Sequence, residues 1–117
     1  KMDIYMLSKN EINSNELIEL LDKRKNKEID FLLVDVREDM EYNMGYIDGV
    51  NILHPTSTFN EWAKELLDST KDKKVIFTCR TGNRSGQVAH IFKSNGHNGA
   101  INHSGGIISY NGKIARP

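Results

Sequence analysis

The stretch VIFTCRTGNRSG, residues 75–86, holds the only cysteine of the chain, Cys79, where an apolar run ends. Arg80 follows it directly and Arg84 arrives five positions on, with Gly82 and Asn83 between them. A free thiol is only a few per cent ionised near neutrality, so a nucleophilic cysteine needs surroundings that favour the thiolate. This loop has the means to provide them. Gly82 has the backbone freedom for a sharp turn, and Asn83 also tolerates left-handed geometry. A loop wound that way turns successive N–H groups inward as an anion-binding nest at a helix N-terminus. The fixed positive charges of Arg80 and Arg84 suit an oxyanion such as a sulfonate, phosphate or arsenate.

The bland alternative is a small buried hydrophobe at a strand end, a common place for free cysteine. The two arginines, the glycine and the strand-to-helix position favour a reactive thiol instead. No histidine or carboxylate lies close in sequence to act as a general base. That favours nucleophilic attack with anion stabilisation and a leaving group that departs as a stable anion, as sulfite does from thiosulfate.

The elements around this loop follow from hydrophobic patterning. Asn13 or Ser14 is placed to cap a helix whose apolar face is Leu17, Ile18, Leu20 and Leu21. FLLVDV, residues 31–36, lacks polar alternation and predicts a strand buried on both faces. VNILH is a second short strand. Thr58 three residues before Glu61 predicts a capping box for a helix running through Leu67. KKVIFT is a third strand, ending at Cys79. Val88, Ile91 and Phe92 form the expected face of a helix from Ser85 to Asn95, with Gly96 at its left-handed C-cap. GAINHS reads as a further strand, followed by the pair Gly105-Gly106 and a weak last helix or turn, IISYNGK. Strands alternating with helices predict an α/β fold with a mostly parallel sheet, whose sites form beyond the carboxyl ends of the strands. Asp35-Val36-Arg37 and Cys79 both fall at such ends.

Composition sets bounds on partners. The 117 residues fit one domain, 1–117, able to bury a core without disulfides or a structural metal. Formal net charge is zero, which gives no overall pull towards nucleic acid or an anionic membrane. One cysteine excludes an intramolecular disulfide and a multi-thiolate zinc site. His54, His90, His97 and His103 lack metal-ligand spacing and are expected to be solvated or structural. With no signal-peptide pattern and no apolar run of membrane-spanning length, a reducing, cytoplasmic setting is expected.

Three segments in order resemble the rhodanese family of sulfurtransferases, over about Ile12 to Gly106. LLVDVREDMEYNMGYIDGVNI is similar to the family's D-V-R-x-x-x-E-[YF]-x-x-G-H-I-x-G-A-x-[NH]-I pattern, CRTGNRS to its active-site loop and HSGGI to its glycine pair. Tyr46 stands where histidine is usual, Val50 where alanine is usual, and Tyr110 near a usual tryptophan. The resemblance implies a rhodanese-like α/β domain with a central parallel five-stranded sheet flanked by helices. It implies that Cys79 takes the outer sulfur of a small anionic donor such as thiosulfate as a persulfide. Cyanide, another thiol or a protein acceptor then removes that sulfur. The loop from Arg80 through Thr81, Gly82, Asn83 and Arg84 to Ser85 would cradle the persulfide, with both arginines attracting the donor. Asp35 and Arg37 are assigned supporting roles, Asp35 bonding loop backbone and Arg37 pairing with Glu41 or Glu38. No cofactor or metal is required. Cysteine phosphatases of related fold have a loop one residue longer than this C-x4-R, as does the arsenate reductase expected of that fold. The shorter nest therefore suits a single sulfur better than a tetrahedral oxyanion. A sulfur relay or binding module acting on a protein partner is the alternative reading.

Overall fold

The computed structural model describes residues 2–117. In chain order the elements are α1 (Met2–Leu7), β1 (Glu11–Ile12), α2 (Ser14–Lys25), β2 (Leu32–Asp35), α3 (Asp39–Asn43), β3 (Tyr46–Ile47), β4 (Ile52–Leu53), α4 (Phe59–Ser69), β5 (Val75–Thr78), α5 (Asn83–Ser94), β6 (Ala100–His103) and β7 (Ile114–Ala115). A five-stranded sheet of order β1-β6-β5-β2-β4 is parallel throughout, while β3 and β7 pair antiparallel at its side.

The absence of polar alternation in β2 and β5 has its reason in the two cores. Val75 and Phe77 face α4 and α5, packing with Val34, Trp62, Leu66, Val88 and Phe92. Ile76 faces the other way, packing with Leu17, Leu20, Leu33 and Ile101 under α2. A strand covered on both faces has no polar side to display. The register sets Asp35 beside Thr78 and places Asn102 of β6 beside Phe77. The carboxyl ends of β2, β5 and β6 therefore converge where Cys79 begins its loop.

Two local expectations need correction. Thr58 forms no capping box: its hydroxyl donates back to the Pro55 carbonyl at 3.2 Å, because the chain enters α4 through a 3-10 turn, Thr56–Thr58. Trp62 Nε1 donates to the same carbonyl at 2.9 Å, which fixes the entry angle. Ile91 is not in the core but 42% exposed, because α5 buries Ser85, Val88, Ala89 and Phe92 and leaves Ile91 in the groove between α4 and α5. On α2, Asn13 is the cap, accepting from the Glu16 N–H while Glu16 accepts from Asn13, and Ile18 and Leu21 are only half-buried. Gly96 follows α5 in left-handed geometry, as expected. Of the helix or turn expected at IISYNGK, the structure has the turn, a 3-10 segment at Ile107–Ser109, and β7 follows it.

Of the histidines, His103 is fully buried between Ser14 Oγ and Thr78 Oγ1, each 2.8 Å from a ring nitrogen. Burial lowers its pKa from 6.5 to about 4. The unfolded chain therefore binds a proton that the folded protein refuses between these two values. The His103 contribution is intact above pH 6.5 and is lost as pH falls towards 4, by up to about 3 kcal/mol. Urea titrations at several pH values check this: the slope of stability against pH in that window should shrink in His103→Leu, whatever the variant's absolute stability. Equal slopes would remove His103 from the account.

Candidate active site

Cys79 stands just past β5, 1% exposed, on the α5 side of the sheet. Its Sγ accepts the N–H of Gly82 at 3.1 Å, the N–H of Ser85 at 3.4 Å and the hydroxyl of Ser85 at 3.3 Å. Burial pushes the thiol pKa up, but the Ser85 hydroxyl and the N–H groups of Ser85, Gly82 and Thr81 outweigh it and hold the pKa below the ordinary value. The nest expected from the sequence is present.

Its shape is imposed from behind. The Ile107 N–H donates to the Cys79 carbonyl at 2.8 Å and the Ile108 N–H to the Arg80 carbonyl at 3.1 Å. With these carbonyls held outward, the N–H groups that follow turn towards the sulfur. This close approach requires Gly106: a Cβ there would lie 2.3 Å from the Arg80 oxygen. Gly82 is in the left-handed region at φ +96°, and a Cβ there would lie 2.0 Å from the Ser104 oxygen. Both positions exclude any other residue without backbone movement.

Asn102, which the sequence reading did not single out, grips both donor residues. Its Oδ1 accepts the Ser85 hydroxyl at 2.6 Å and its Nδ2 donates to the Gly82 carbonyl at 3.2 Å. Ser85 has one hydroxyl proton and two acceptors, so the charge on the sulfur decides where it points. Asn102 lies in GAINHS, already read as a strand. A polar side chain following the apolar pair Ala100 and Ile101 was the available signal.

The charged residues depart from expectation. Arg37 does not pair with Glu38 or Glu41 through their carboxylates. It closes on Asp35, with Nη2 2.8 Å from Oδ2 and Nε 3.1 Å from Oδ1. Two residues apart at a strand end, the pair meets because the chain bends there, with the Arg37 N–H also on Asp35 Oδ1 at 2.9 Å. The remaining guanidinium donors take the Gly45 carbonyl at 2.7 Å and the Glu41 carbonyl at 3.3 Å, tying α3 to β2. The side chains of Arg37 and Asp35 are only 6% and 2% exposed. The backbone that Asp35 bonds is that of Arg37 at the end of β2, not the Cys79 loop.

Glu41, freed from Arg37, takes Arg84 in a two-pronged pair at 2.7 and 2.8 Å. Glu41 also accepts the Glu38 N–H at 3.0 Å. The Arg84 hydrogen bonds bring the Glu41 pKa down to about 2. Arg84 is therefore not a free cation awaiting a donor, because it is neutralised by α3. Arg80, Thr81 and Asn83 are exposed, while Gly82 and Ser85 are buried. Among the described residues, no cluster of histidine, cysteine and acid is arranged to hold a metal, and no helix is long and apolar enough to cross a membrane.

A parallel sheet covered on both faces, ending in a buried cysteine ringed by main-chain N–H groups, defines an α/β domain built to stabilise a sulfur anion. Residues 13–113 match the Rhodanese-like domain, and the chain belongs to that family. A rhodanese-related protein from Thermoplasma volcanium superposes with a TM-score of 0.73 and 28% identity, over 92% of this chain and 98% of that one. The human single-domain sulfurtransferase superposes with a TM-score of 0.64 and 27% identity, over 84% and 91% of the two chains. A tRNA uridine(34) hydroxylase of Escherichia coli is 34% identical over 84 residues, which are 69% of this chain and 24% of that protein. The chain thus spans about a quarter of the length of the curated relatives it matches.

Proposed function

We propose that this rhodanese-like domain, taken as a single unit over 1–117, is a sulfurtransferase that carries a sulfane sulfur on Cys79. In the first step the Cys79 thiolate attacks the outer sulfur of an anionic donor such as thiosulfate. The new S–S bond forms as the donor's S–S bond breaks, and sulfite leaves with the electron pair. In the second step cyanide, a thiolate or a protein thiol attacks the outer sulfur of the persulfide, and the Cys79 thiolate leaves. Two nucleophilic displacements need no oxidant, cofactor or metal, and charge balances in each. The carrying observation is the convergence of the Gly82 and Ser85 donors on Sγ at 3.1 to 3.4 Å. Arg80 draws in the donor, while Thr81, Gly82, Asn83 and Ser85 shape the cradle. The setting is cytoplasmic, with neither nucleic acid nor membrane as partner.

The resemblance to a tRNA-modifying hydroxylase gives a second reading, in which the domain hands sulfur to, or docks on, a partner protein in a larger assembly. The C-x4-R spacing argues against phosphatase or arsenate reductase chemistry. Intact-protein mass spectrometry after incubation with a sulfur donor tests the first step. The expected result is a gain of one sulfur mass that is lost on reduction and absent in Cys79→Ser. No gain from thiosulfate or from an organic persulfide, with Cys79 still open to alkylation, would overturn the proposal.

A further inference from the structure

We propose that Glu41 sets donor choice by neutralising Arg84, so that the cradle selects an organic persulfide carrying at most one charge over the dianion thiosulfate. This rests on the sulfurtransferase reading above. Three observations support it.

The first is the pair itself. Both guanidinium nitrogens of Arg84 that face α3 meet a Glu41 oxygen, at 2.7 and 2.8 Å. A carboxylate whose pKa has dropped to about 2 stays ionised through the whole range in which the thiolate exists. The second is the local charge count. Arg84 of α5 is near enough to feel the charge of the sulfur, and both Glu41 of α3 and Glu38 just before it are set against that one guanidinium. With two carboxylates set against it, Arg84 has no surplus charge to hold a dianion. Asp35 and Arg37 from β2 cancel each other in the interior. The field that remains at the sulfur is that of the N–H groups, which suits one anionic sulfur. The third is the rim. Ile108, whose N–H holds the Arg80 carbonyl at the loop, is 62% exposed. Such a side chain suits the carbon body of R–S–SH and offers nothing to a sulfonate.

The transfer balances in the same way: the Cys79 thiolate attacks the outer sulfur of R–S–SH, the S–S bond breaks, and RS⁻ leaves. Cys79–S–SH remains, with the proton still on the outer sulfur.

The test compares single-turnover charging of Cys79 by thiosulfate and by the persulfide of N-acetylcysteine amide, in wild type and in Glu41→Gln. Glutamine keeps the shape of Glu41 and an acceptor for the Glu38 N–H. Wild type is expected to charge faster with the persulfide. In Glu41→Gln the thiosulfate-to-persulfide ratio of efficiencies should rise by about tenfold, the effect of one released surface charge on a dianion, and added salt should erase the gain. Protection of Cys79 from iodoacetamide by sulfate should tighten in parallel, and this readout needs no turnover. A wild type that prefers thiosulfate, or a ratio and a sulfate protection unmoved in a folded variant, overturns the assignment. If neither donor charges Cys79, the sulfurtransferase reading fails, and sulfate protection alone still decides whether Glu41 masks Arg84.

Discussion

Asp35→Ala should destabilise the folded protein by about 3–5 kcal/mol, the range for leaving one member of a buried ion pair without its partner. With Asp35 gone, the Arg37 guanidinium stays in a site 6% exposed, with only the Gly45 and Glu41 carbonyls for company. Total stabilities of small domains are about 5–15 kcal/mol, so soluble yield at 37 °C should fall as well. Urea unfolding provides the measurement. Removing both partners in Asp35→Ala/Arg37→Ala should cost less than the sum of the single changes, because the unpaired charge goes with the second substitution. The damage also reaches the site, since Arg37 holds α3 and α3 presents Glu41 to Arg84. An Asp35→Ala protein as stable as wild type would show that water replaces the carboxylate without loss.

Gly82→Ala should lower the rate of Cys79 persulfide formation by about a hundredfold, the order expected when reacting atoms shift by 1 Å. The added Cβ would meet the Ser104 carbonyl oxygen at 2.0 Å, and neither partner is a flexible side chain. The loop must move, taking with it the N–H that lies 3.1 Å from Sγ. The Cys79 pKa should rise in consequence, visible as an alkylation rate that climbs at higher pH than in wild type. Gly96→Ala is the matched control, because Gly96 has φ +87° but no atom within 4 Å of its added Cβ. It should cost roughly 1 kcal/mol of backbone strain and leave sulfur chemistry alone. Equal activity losses in the two variants would mean that left-handed strain, not contact with Ser104, governs the loop.

What was legible in the sequence follows the range of the forces involved. The unalternating runs of β2 and β5 announced strands covered on both faces, and the Cys79 loop announced its nest, because both are written in contiguous residues. Two-residue strands such as β1, β3 and β7 carry no period to read and exist only through their partners. Glu41 belonged to the family pattern, yet its role was assigned to Arg37, its near neighbour in sequence. The structure gives Glu41 to Arg84, 43 residues away. A bend at the end of β2 lets Arg37 close on Asp35, and that local turn releases Glu41 for the distant pair. Ile91 failed for a similar reason, since periodicity gives a helix face but not how far the neighbouring helix extends over it.

Most of the sulfur's partners are main-chain groups, a fact with a bearing on how such a domain changes over generations. A substitution at Thr81 or Asn83 alters an exposed side chain and leaves the peptide N–H in place. The loop's outward face can therefore drift, and acquire or lose affinity for a given carrier, while the chemistry beneath is inherited intact. The restrained positions are those the backbone itself demands, Gly82 and Gly106, together with Ser85 and Asn102. Under the proposed function, reactivity and recognition thus lie on opposite sides of the same short loop, open to independent selection.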